Sequence, residues 1–139
     1  MGYTIEISIN LHKSRHCLDS LKQSIVDKFL QLNCETYYWF HERDDNEFKR
    51  GKSRARNNYV GCASFSQEQI DQASQYIRYI RQLKGVYLDC VYQDDIKPKL
   101  LYVSPFYMKK MTKDQRRVYK SNQRAQTLSS QEEVLLIHL

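Results

Sequence analysis

Residues 3–11 read YTIEISINL, and Tyr3, Ile5, Ile7, Ile9 and Leu11 alternate there with Thr4, Glu6, Ser8 and Asn10. Successive side chains of a strand point to opposite faces, so this period-two pattern predicts a strand buried on one face only. Its apolar face needs a covering layer. Its polar face is expected to be wet or covered by a partner.

Working outward, Ser14 is placed to cap a helix whose apolar positions Leu18, Leu21, Ile25, Phe29 and Leu32 recur at helical spacing, running to about Asn33. The stretch 35–41 carries Tyr37, Tyr38, Trp39 and Phe40, ring types that favour a pleated surface. The polar segment 42–58, centred on Gly51, predicts a long hairpin connection into a strand over 59–65. Ser66 and Gln69 have capping-box spacing, and Ile70, Ala73, Ile77, Ile80 and Leu83 then mark a second helix that Gly85 stops. Val86, Leu88, Cys90 and Tyr92 alternate again. After a turn over 94–98 a further strand at 99–103 is expected, ended by Pro105.

The order strand, helix, strand, strand, helix, strand predicts an α+β class fold of the ferredoxin-like, split β-α-β kind (β-α-β-β-α-β). Two helices would cover one face of an antiparallel sheet, with an extra C-terminal strand. The expected organisation is a core over 1–108 and a basic helical extension with an apolar tail over 109–139. A chain of 139 residues is long enough for one core without covalent staples. The residues contain no run of 18 to 20 apolar positions and no signal-peptide core at Met1, so a soluble, unexported protein with no membrane contact is expected. The pair Met1 and Gly2 does not extend to a myristoylation pattern, because Glu6 stands where Ser or Thr is required. Cys17, Cys34, Cys62 and Cys90 are far apart, with no C-x-x-C pair. Reduced, mostly buried thiols are therefore expected, with no metal and no cofactor, and His12, His16, His41 and His138 show no ligand spacing.

Charge is informative by position. Residues 97–124 hold nine Lys or Arg against Asp114 alone; with Glu132 and Glu133 beyond, and a formal total of +6, residues 1–96 are neutral. Thr112 and Gln115 have capping-box spacing, and Lys113, Arg116, Arg117, Lys120 and Arg124 follow within a sector of roughly 100° on a helix. Lys109 and Lys110 extend the same field. Such a face suits a phosphate backbone, where each neutralised phosphate releases counterions. An acidic partner protein or simple solvation are the alternatives. The side formed by Gln115, Val118, Tyr119, Asn122 and Ala125 is only weakly apolar. A second cluster, Lys49, Arg50, Lys52, Arg54 and Arg56, lies in the hairpin segment, where it would assist without reading bases, although Glu42, Asp44, Asp45 and Glu47 could blunt it.

Other chemistries are poorly supported. The third strand, 57–65, reads NNYVGCASF and lacks the basic-Gly-aromatic start of RNA-recognition motifs, and Thr4, Glu6, Ser8 and Asn10 offer no stacking platform. His12, Lys13, Arg15 and His16 resemble an acylphosphatase anion cradle without its glycine-rich loop. Asn10 occupies the place where a metal-dependent nuclease of this fold needs a carboxylate, no histidine-hydrophobic-histidine triplet occurs, and Asp94 and Asp95 fall in a turn. A non-enzymatic role is expected.

The tail Val134, Leu135, Leu136, Ile137, His138, Leu139 follows a capping box of Ser130 and Glu133 and should dock, either on its own core or on a second copy to form a homodimer. The Tyr-, Lys- and Asn-rich, Gly-poor make-up and the segment KLLYVSPFYMKKM at 99–111 resemble small basic virion proteins of nucleocytoplasmic large DNA viruses such as the marseillevirus group. That resemblance implies an intracellular protein of the host cytoplasm or nucleus, packaged in the virion with DNA or at the capsid interior. The expected function is binding of nucleic acid, DNA foremost, without sequence preference. The competing expectation is a scaffolding module whose sheet face, Tyr cluster and apolar tail meet other proteins.

Overall fold

A computed structural model describes residues 2–11, 17–44, 56–96, 98–125 and 130–136. In chain order the elements are β1 (Gly2–Asn10), α1 (Leu18–Gln31), β2 (Thr36–Asp44), β3 (Arg56–Ser66), a 3-10 turn (Gln67–Gln69), α2 (Ile70–Gln82), β4 (Val86–Gln93), β5 (Lys99–Val103), α3 (Pro105–Met108), α4 (Lys113–Ala125) and α5 (Ser130–Leu136). The strands form one sheet in the order β2-β3-β1-β4-β5, every neighbouring pair antiparallel. This is the ferredoxin-like arrangement, with β5 added outside β4.

The stripes read from sequence in β1 and in the first two long helices form the front face. Tyr3, Ile5, Ile7 and Ile9 of β1 pack with Ile25, Phe29 and Leu32 and with Ala73, Ile77 and Ile80 in one buried cluster. Tyr76 joins them, fully buried against Phe29 and Phe65. The first helix stops where Asn33 takes φ 54°, and Gly85 at φ 82° turns the chain after α2; both lie in the left-handed region tolerated best by Gly and Asn. Gln69 Oε1 accepts the Ser66 N–H at 2.9 Å, and the first turn there is 3-10 rather than α. The proposed cap Ser14 lies outside the described residues.

Two expectations change, and the open alternative for the tail resolves to docking on its own core. The β2–β3 ladder runs from Thr36 opposite Ser64 to Asp44 opposite Arg56, so Glu42 to Asp44 and Arg56 to Asn58, read as loop, extend the hairpin arms. Asn58 is buried there. Next, the tail docks on its own core: Leu135 is fully buried with Tyr3 and Leu101, α5 packs on α2, and Lys99 Nζ reaches Glu132 Oε2 at 3.4 Å. Finally, the polar side chains of β1 do not face water or a partner chain along their whole length, because Thr4 and Ser8 are buried on the back face. The cover comes from α3 and the start of the extension, where Tyr107, Met108, Met111 and Tyr119 pack on Cys90, Val103, Tyr92 and Leu100. α3 and α4 therefore lie on the back of the sheet and α5 on its front.

Candidate nucleic-acid interface

The bridge from sheet to basic helix begins at Ser104, whose N–H donates to Asp89 O at 2.8 Å and whose Oγ accepts the Tyr107 N–H at 3.0 Å. Pro105 takes the first helical position, where its missing N–H costs nothing. Thr112 and Gln115 then form the capping box read from sequence: Thr112 Oγ1 accepts the Gln115 N–H at 3.1 Å and Gln115 Oε1 accepts the Thr112 N–H at 2.9 Å.

One ring fixes α4 to the sheet. Tyr119 is 3% exposed, and its hydroxyl accepts the Val103 N–H at 3.2 Å and the Gln123 side-chain amide at 2.6 Å. Elsewhere the helix stands away, leaving a groove of about 710 Å³ lined by Leu100, Tyr107, Met111, Val118 and Asn122 among others. With Tyr119 turned inward, Lys113, Arg117, Lys120 and Arg124 are exposed and Arg116 is half-buried. Arg117 lies 3.7 Å from Asp114, but both side chains are so open to water that the pair hardly neutralises the face.

Lys109 is exposed beside this helix. Lys110 is not part of the outward field. Its Nζ lies 2.8 Å from Glu42 Oε1 and over the rings of Phe106 and Tyr107, with the side chain only 13% exposed. Of the hairpin cluster, Lys49, Arg50, Lys52 and Arg54 lie outside the described residues, and Arg56 begins β3.

The back face beneath α3 is a polar layer that sequence reading left unassembled. Tyr38, Cys62, Glu6, Cys90 and Val103 form one row across the five strands. Cys90 Sγ donates to Glu6 Oε2 at 3.2 Å, while Thr4 Oγ1 donates to Asp94 Oδ1 at 2.7 Å. Burial pushes the Cys62 thiol up to about 12 and the Cys90 thiol higher still, so both are protonated at neutral pH. Cys17 is exposed, against the expectation of mostly buried thiols, and Cys34 is half-buried. Asp89 sits in a β-bulge between the residues opposite Glu6 and Ile7, and its Oδ1 accepts from Ser8 Oγ at 3.0 Å. Burial raises its carboxyl to about 6, against the pull of Lys110 and Ser8.

Among the described residues no group of His, Cys, Asp and Glu is arranged to hold a metal ion, and no helix is long and apolar enough to cross a membrane. Comparison with protein-family models, curated proteins and solved structures finds no match.

Proposed function

We propose that the chain is a non-enzymatic nucleic-acid-binding protein that grips backbone phosphates of DNA or RNA through the outward face of α4. The observation that carries this reading is the anchoring of Tyr119, which turns the weak side of the helix to the sheet and leaves Lys113, Arg117, Lys120 and Arg124 exposed on the other side, with Arg116 half-buried at its edge. Lys109 extends the field, and the basic hairpin segment assists. A face of flexible cations carries no base-edge complementarity, so binding has little sequence preference.

Titration of the full chain with duplex DNA and with RNA, at about 50 and about 200 mM salt, tests it. Six phosphate contacts predict a loss of affinity of about a thousandfold between the two conditions. Charge reversal of Arg117 and Lys120 together should flatten the salt slope by about two. Absence of binding at low salt, or binding indifferent to salt, would overturn the reading.

A scaffolding role is the second reading, favoured by ring pairs open to solvent: Tyr38 stacks on Phe40 at 6.2 Å and Tyr87 on Phe106 at 6.3 Å. Under it, reversing the charges of α4 leaves assembly unchanged. Either role fits a protein packaged in a DNA virus particle, as the resemblance implies. Leu135 of the apolar tail fills this chain's own core, so neither reading uses it as a dimer contact.

A further inference from the structure

The two edges of the sheet are finished differently. β5 is five residues long, its register to β4 shifts between Val91 and Tyr92, and helices of the extension pack on both faces beside it. Those are devices that prevent a strand from recruiting another. Among the described residues β2 has none of them. It is nine residues long, holds an unbroken register to β3, and contains neither Pro nor Lys in TYYWFHERD. Its rings at Tyr37, Tyr38 and Phe40 are 38%, 54% and 41% exposed.

We propose that β2 pairs with β2 of a second copy of this chain, antiparallel about a two-fold axis through Trp39, joining two sheets into one of ten strands. An antiparallel pair related by such an axis sets each residue opposite one on the same face. With Trp39 on the axis, Tyr38 meets Phe40 of the second copy twice on the back face, and Tyr37 meets His41 twice on the front. Glu35 falls opposite Arg43 at both ends, and both are exposed. This register brings rings against rings and acid against base, the pairings that stabilise neighbouring strands. Moving the axis to Phe40 sets Tyr38 against Glu42 and Tyr37 against Arg43. Moving it to Tyr38 sets Phe40 against Thr36. Both lose the Glu35 to Arg43 match, so charge selects the register as well as the partner.

The inference is independent of nucleic-acid binding and is tested without nucleic acid, by sedimentation of the full chain over a range of concentrations. The native chain should sediment as two copies. The double variant Tyr38→Lys/Phe40→Lys sets like charges face to face and should sediment as one copy, with unchanged circular dichroism because both positions are exposed. Glu35→Arg and Arg43→Glu should each weaken the pair, and the two together in one chain should restore it. A native chain that stays single at the highest concentration reached, a dimer that survives the lysine substitutions, or a charge swap that fails to restore pairing would overturn the proposal.

Discussion

Lys110 Nζ lies 2.8 Å from Glu42 Oε1, which ties the turn between α3 and α4 to the outermost strand at the opposite side of the sheet. The same ammonium acts on Asp89, whose carboxyl it draws down against the effect of burial. One cation thus serves two carboxylates and holds the extension across the back face.

Replacing Lys110 with Met keeps the stem over Phe106 and Tyr107 and removes the charge. Glu42 then loses its partner and Asp89 loses its main counter-field. Stability at neutral pH should fall by about 1–3 kcal/mol in urea denaturation, and the Asp89 midpoint, followed by carboxyl NMR, should rise above about 6. An unchanged midpoint would show that the ammonium does not act on Asp89 in solution.

The raised Asp89 carboxyl gives stability a defined pH dependence. Its folded value is about 6 against an ordinary 3.8, so between those limits the folded chain holds a proton that the unfolded chain has released. The resulting contribution is fully present below about pH 3.8 and lost as pH rises through 6. At about 1.4 kcal/mol per unit it is on the order of 3 kcal/mol. Asp89→Asn retains an acceptor for Ser8 and should flatten the profile between pH 4 and 6, while raising stability at pH 7. A variant with the native profile would assign the pH dependence to other groups.

Tyr119→Phe deletes the hydroxyl that accepts the buried Val103 N–H and the Gln123 amide. Leaving that N–H without a partner should cost about 1–3 kcal/mol. Amides of α4 should exchange faster, whereas those of β1 should change only as much as global stability requires. Uniform acceleration throughout would mean that the helix does not detach separately.

Gly61 faces the chain's single Trp. A Cβ there would lie 2.7 Å from Trp39 Cζ3, closer than atoms tolerate, so the ring occupies the space that glycine leaves. Gly61→Ala should displace it, cost about 1–3 kcal/mol through overpacking, and shift Trp fluorescence toward that of a wetter indole. An unshifted spectrum at native stability would refute this packing.

The front of the molecule was legible because its apolar residues repeat at two fixed periods: β1, α1 and α2 show in the chain as stripes, whereas the alternation read in β4 breaks at the Asp89 bulge, which keeps Val86 and Leu88 on the front and turns Cys90 and Tyr92 to the back. The capping boxes at Ser66 and Thr112 were readable for the same local reason. The back face was not. Its cover comes from Tyr107, Met108 and Met111, three residues among lysines whose apolar spacing is too short to announce a buried element, and from Tyr119 on a helix side with little other apolar character. Lys110 was indistinguishable from Lys109 by type and neighbourhood. Only the fold brings Glu42 to one of them and leaves the other in water. The cationic sector of α4 was readable in outline because helical spacing fixes it, while the direction it faces depends on Tyr119.

The way the sheet ends at β5 also bears on how far chains can associate. A sheet with two receptive margins can add copies at both ends and grow into a fibre, whereas this one ends at β5 in a short strand of shifted register with helices of the same chain on both faces. Any addition at the β2 side uses up the receptive margin of both partners, so the product terminates itself as a discrete particle instead of an open polymer.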